Sequence, residues 1–250
     1  MTDITDRQKV EEAFHDQRAK QDVKDFYSFG ALRDADEYLW ASVGNVANKR
    51  VLEIGCGDGT TSVRFAKAGA QVTSIDISAD MVELTMKKAR EAGVAESIHA
   101  VRMGGEDLDF PSNTFDIVYG HSVLHHLNLG LAAPKIVGVL RVGGVAAFLE
   151  PLNHNPFLAV FRLLTPHRRT PTEQPLSIEQ IQSFARHFAS CEREEFYLIS
   201  LLSFLWYYGI RNERLFRKTM NSLVIVDRWV FSLIPILKRF AWVTVVRLTK

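Results

Sequence analysis

Three glycines spaced two apart, Gly55, Gly57 and Gly59, close the stretch VLEIGCGDG (51–59). An apolar run entering such a turn reads as a buried strand whose following backbone is closely approached by a ligand. A dinucleotide fingerprint requires G-x-G-x-x-G/A, and Thr60 stands where its last small residue belongs. A phosphate loop requires a lysine after the glycines, and none follows. Glu53 reads as facing the ligand, where an acid repels a pyrophosphate and favours a cation such as a sulfonium carrying an α-ammonium group. Asp76 ends the next apolar run, QVTSID (71–76), and a carboxylate there accepts hydrogens from both hydroxyls of a ribose. Ile77 and Met81 offer apolar surface to an adenine, and Glu106 and Asp107 form an acidic loop able to accept from its amino group.

Histidines gather further along, at His121, His125 and His126 in GHSVLHHL and at His154 after the FLEP stretch. His121 and His125 are four apart and would share a helix face, as metal ligands can. No carboxylate or cysteine at ligand spacing joins them, so no metal is expected.

The elements that must position these residues alternate regularly. Strands are predicted at 50–55, 71–76, 97–103, 115–120 and 143–151. Helices are predicted at 60–68, 79–92 and 131–140, with Ser78 and Gly93 as start and stop signals of the second. This alternation predicts an α/β fold with a parallel, doubly wound, Rossmann-like sheet and ligands beyond the carboxyl ends of its strands. The first 40 residues read as helical. After Pro151 the pattern breaks, and Ser177 with Gln180 forms a capping box that starts another helix. Residues 193–201 and 239–248 are each predicted as a strand.

Composition narrows the class. The formal net charge is +1, so no global basic field argues for nucleic acid. Two cysteines, Cys56 and Cys191, cannot build a disulfide framework and are expected to be reduced thiols of a cytoplasmic protein. The polar start lacks the apolar core of a secretory leader. The longest uncharged apolar stretch, 196–210, falls short of the ~20 residues that a spanning helix needs. Charge is uneven along the chain: residues 1–40 carry six Lys/Arg against ten Asp/Glu, and residues 211–250 carry nine against two. In 202–238 the basic residues interleave with Trp, Phe, Leu and Ile. That stretch fits a peripheral membrane contact, a cover over an apolar substrate pocket, or a core helix with a solvated basic face.

In order and spacing, VLEIGCGDG, SIDIS, EDLDFPSNTFDIVYG, SVLHHL and LRVGGVAAFLEP resemble the class I S-adenosylmethionine-dependent methyltransferases, in the small-molecule, ubiquinone/menaquinone-type branch. The resemblance covers about residues 45–151. It implies a seven-stranded methyltransferase sheet with helices on both faces, an N-terminal helical cap (1–45), a cofactor-binding core (46–151) and a substrate-side elaboration (152–250). That last part would hold an antiparallel final hairpin and a helical insertion at about 202–238. For S-adenosyl-L-methionine it implies that Gly55, Cys56 and Gly57 line the methionine moiety, supported by Glu53. Asp76 would hold the ribose, Ile77 pack on adenine, Asp107 with Glu106 meet the adenine edge, and the His121 carbonyl face the ammonium. Many relatives carry an aspartate two positions before the residue matching Glu106; here Gly104 stands there.

Some relatives use a histidine matching His125 as a base, sometimes with an N-terminal tyrosine, for which Tyr27 and Tyr38 are the candidates. His154 is a second catalytic candidate. The expected activity is in-line methyl transfer to a small, apolar or amphipathic molecule. The rivals are a catalytically degenerate, membrane-docked binding module of the same fold and, more distantly, an NAD-dependent oxidoreductase.

Overall fold

The computed structural model describes residues 6–20, 30–164 and 173–250. Two helices, α1 (Asp6–Ala19) and α2 (Arg33–Ser42), precede the alternating part. That part runs β1 (Arg50–Ile54), α3 (Thr60–Lys67), β2 (Gln71–Asp76), α4 (Ala79–Glu91), β3 (Ile98–Arg102), β4 (Phe115–His121), α5 (Leu129–Val139) and β5 (Leu140–Pro151). The chain continues through α6 (Pro156–Leu164), α7 (Ile178–Ala185), β6 (Ser190–Phe196), α8 (Phe204–Ile210), α9 (Glu213–Leu233) and β7 (Val243–Thr249).

The seven strands lie in the order β3-β2-β1-β4-β5-β7-β6. The first five pair in parallel, and β7 runs antiparallel to both β5 and β6. The order therefore reverses between β1 and β4, which opens a crevice at their carboxyl ends.

Strand alternation divides the core between two faces. Val51, Val72, Ile117, Tyr119, Leu149 and Val245 face a cluster containing Leu39, Phe65 and Phe216 from α2, α3 and α9. Leu52, Ile54, Ile75, Val118, Phe148 and Val246 face Ile136 and Phe184 from α5 and α7. Helices thus cover both faces, as the sequence predicts.

Local signals explain the element ends. Ser78 caps α4 by accepting from the Met81 N–H at 3.1 Å, and the Ser177–Gln180 capping box starts α7. Gly59 begins α3 in the left-handed region at φ 76, where a Cβ would lie 2.7 Å from the Thr85 Cα.

The strand expected at 193–201 stops at Phe196 instead. Tyr197 turns to φ 67. Asp227 of α9 then accepts from the N–H groups of Leu198, Ile199 and Ser200 at 2.9, 2.7 and 3.2 Å, and from the Ser200 hydroxyl at 2.5 Å. Hydrogen bonds to a charged acceptor contribute ~1.5–3 kcal/mol each, more than extending one strand offers. No helix among the described residues is long and apolar enough to cross a membrane.

Candidate active site

A cavity of about 1320 Å³ occupies the crevice at the carboxyl ends of β1, β2 and β4. Its β2 side is built from backbone, two apolar side chains and the acids Asp58 and Asp76. Gly55 and Gly57 line it, at φ 73 and 50. A Cβ on Gly55 would meet Val123 Cγ2 at 2.9 Å, whereas one on Gly57 would project into open space. The Gly57 backbone is therefore open to close approach. Asp76, Ile77 and Met81 continue this wall. The Asp76 Oδ2 accepts from the Gly57 N–H and its Oδ1 from the Ser78 N–H, each at 3.0 Å. Burial raises the Asp76 pKa, and these two N–H bonds oppose the rise. A carboxylate accepts about four hydrogen bonds, so lone pairs remain for a ligand's hydroxyls.

Three sequence assignments fall outside this wall. Glu53 does not line the cavity. Alternation from Val51 turns it to the other face of β1, where it is 3% exposed and takes a short hydrogen bond from the Ser62 hydroxyl, with the Ser74 hydroxyl at 3.3 Å. Burial pushes its carboxyl up to about 8. The charge expected to meet a cationic ligand is thus buried behind α3. Cys56 is also turned inward, its Sγ accepting from the Thr85 hydroxyl at 3.3 Å while burial raises its thiol pKa.

Asp107 lies outside the lining as well, because Gln8 of α1 donates to its Oδ2 at 2.8 Å. Gly104 makes that pair possible, since a Cβ there would sit 2.8 Å from Asp107 Oδ2 and 3.1 Å from Gln8 Nε2. Glu106 does line the cavity, and its Oε1 accepts from the Asn128 N–H at 2.7 Å.

The opposite wall consists of side chains that hold one another. Glu150, at the end of β5, is fully buried. Its Oε1 accepts from the N–H groups of Val123 and Leu124 at 2.9 and 2.7 Å. Its Oε2 lies 3.3 Å from the His125 N–H and 2.6 Å from His125 Nδ1. His125 stands between the large cavity and a neighbouring one of about 480 Å³, and lines both. With Nδ1 held by Glu150, Nε2 is the nitrogen left for chemistry. His121 lines the cavity and holds Asp36 of α2 at 2.8 Å. Arg162 of α6 pairs with Glu173 at 2.7 Å.

The cover over this site is α1. Gln8, Glu11, Phe14 and His15 line the cavity, and Asp16 accepts from the Ser78 hydroxyl at 2.5 Å. Burial lowers the His15 pKa, while Asp76 nearby pulls the other way. Among the described residues, none from 202–238 lines the cavity, which removes the pocket-cover reading of that stretch. His154 lines neither cavity. Tyr38 packs against Phe196 outside the lining, and Tyr27 lies outside the described residues.

Sequence reasoning missed Glu150, Glu11 and His15 as parts of the site. An acid ending a strand, as Glu150 does in FLEP, is the same signal that marked Asp76. Nothing in the sequence told which side of α1 would face the crevice.

The residues fit S-adenosylmethionine. The open Gly57 backbone, the Asp76 carboxylate and the apolar pair Ile77 and Met81 lie in one wall of one cavity. Sheet order, glycine turn and strand-end acid together define a class I methyltransferase fold. Residues 51–144 match the family described as a methyltransferase domain.

The relatives point the same way. The chain is 30% identical over 142 residues to the ubiquinone/menaquinone biosynthesis C-methyltransferase of Shewanella pealeana, covering 55% of this chain and 57% of that protein. It is 29% identical over 127 residues to the ubiquinone biosynthesis O-methyltransferase of Bordetella parapertussis, covering 51% and 52%. The chain thus spans little more than half the length of these curated relatives. The geranyl diphosphate C-methyltransferase of Streptomyces coelicolor superposes with a TM-score of 0.67 at 11% identity, covering 98% of each chain.

Proposed function

We propose that the protein transfers a methyl group from S-adenosylmethionine to a small, apolar or amphipathic molecule by in-line displacement. The observation that carries this reading is the single cavity in which Gly57, Asp76, Ile77 and Met81 form one wall and His125 the other. When bound, S-adenosylmethionine supplies a methyl group made electrophilic by its sulfonium. The Gly55 and Gly57 backbone holds the methionine end, Asp76 the ribose, Ile77 and Met81 the adenine, with Glu106 and the His121 backbone at the cavity rim. His125 Nε2 takes the proton from the substrate's nucleophile, and Glu150 fixes the tautomer and stabilises the resulting imidazolium. α1 and α6 exclude water from the crevice. Calorimetry with S-adenosylmethionine and with NAD tests the reading: heat from the first alone is expected, and heat from NAD alone would overturn it.

A peripheral membrane contact is supported by the outer face of α9. Its inner face buries Phe216, Met220, Val224 and Phe231, while Ile225, Val226, Trp229 and Leu233 form an exposed apolar stripe that continues to Ile236. Exposed Arg214, Arg217, Lys218, Arg228 and Arg239 surround it. Apolar residues beside cations suit an anionic lipid surface. Flotation with anionic vesicles should carry the protein up, and Trp229→Glu should abolish it. Flotation unchanged by that substitution would refute the contact.

A further inference from the structure

His121 and His125 are the histidines whose spacing suggests a metal, but the tertiary structure gives their nitrogens other partners, Asp36 and Glu150. A different set converges where α1 crosses the turn Leu124–His126. Glu11 and His15 are four apart and share one face of α1. Their Oε2 and Nε2 atoms are 3.9 Å apart, and His126 Nδ1 lies 2.9 Å from the same Oε2. All three donor atoms fall within 4.8 Å of one another, and all three residues line the large cavity. The His126 Nδ1 is buried and, despite its nearness to Glu11, is not in hydrogen-bonding geometry.

We propose that Glu11, His15 and His126 form a site for a zinc-class divalent cation, which clasps α1 onto the turn Leu124–His126 and keeps one coordination position open to the cavity. Two imidazoles and one carboxylate are the donor set of three-ligand zinc centres, and nitrogen donors disfavour magnesium and calcium. With bonds of ~2.0–2.2 Å, tetrahedral ligands sit roughly 3.3 Å apart, so the three donors need only small side-chain adjustments. The open position takes water or an oxygen of the bound substrate. A second grouping, His125, His126 and Glu173, shares His126, but there Arg162 holds Glu173 and Glu150 holds His125. The clasp requires no methyl transfer, because it stands on these three side chains.

The test titrates the chelator-treated full chain with Co²⁺ and then displaces it with Zn²⁺. One ion per chain with the visible bands of a tetrahedral or five-coordinate site is expected. His15→Ala and His126→Ala should each weaken it by ~10-fold or more, since even partners behind a ligand contribute that much. His187→Gln, at a histidine outside the group, should leave it intact. The metal should also slow proteolysis within α1. No binding, binding unchanged in His15→Ala, or equal loss in His187→Gln would overturn the proposal. His15 sits on a peripheral helix, so its variant remains informative if His126→Ala fails to fold.

Discussion

The two walls of the cavity are made of different materials. The β2 wall uses backbone, the apolar side chains of Ile77 and Met81, and the Asp76 carboxylate, whose orientation is set by two N–H groups within 23 residues of Gly55. The opposite wall uses side chains from distant parts of the chain, each held by another: His125 by Glu150, His121 by Asp36, Arg162 by Glu173. A backbone wall tolerates side-chain change wherever a Cβ has room and fails where it has none. A paired wall weakens whenever either partner is lost, most at the buried His125–Glu150 pair, where the other is left buried and unmet.

The largest effect should come from the turn itself. Gly59→Ala combines a left-handed φ with a clash against the Thr85 backbone. Strain and overpacking together should cost about 3 kcal/mol, read by denaturant unfolding. Gly57→Ala, with open space around its Cβ, should cost about 1 kcal/mol while still obstructing the cofactor. Equal destabilisation by the two would break the account of the turn.

Glu150→Gln tests the paired wall. The kcat should fall by ~10²-fold, the scale of a general base. KM should change little. An unchanged kcat would reduce Glu150 to a purely structural role.

Asp76→Ala should weaken S-adenosylmethionine by about 2 kcal/mol, roughly 30-fold, the worth of a charged hydrogen bond or more. Unchanged calorimetric affinity would sink the ribose assignment.

A pH-dependent effect concerns Glu53, away from the cavity. Its carboxyl titrates at about 8 in the folded chain against 4.5 ordinarily. Between these values the unfolded chain has lost a proton that the folded chain keeps, so stability falls as pH rises and the full penalty is present above 8. Glu53→Gln should flatten the decline in Tm between pH 5 and 8. A decline unaltered by the substitution would mean that the group ionises freely.

Strand alternation already contained the Glu53 correction, since Val51 and Glu53 must share a face. The acid's proximity to the turn was weighed instead of its parity along the strand. Asp107 was lost to a contact with Gln8, 99 residues away. No local pattern encodes such a pairing. The break after Phe196 has the same origin, an Asp227 that is local to another helix.

By itself the sequence determined the alternating sheet, the glycine turn and the acid at the end of β2. These follow from periodicity and short-range spacing, because a strand, a tight turn and a helix cap are each settled within a few residues. Tertiary structure alone decided that Glu53 faces away, that α1 rather than 202–238 covers the cavity, and that Glu150 stands behind His125. Those outcomes depend on which distant side chains meet in the crevice, and long-range packing, not local propensity, supplies the energy that selects them.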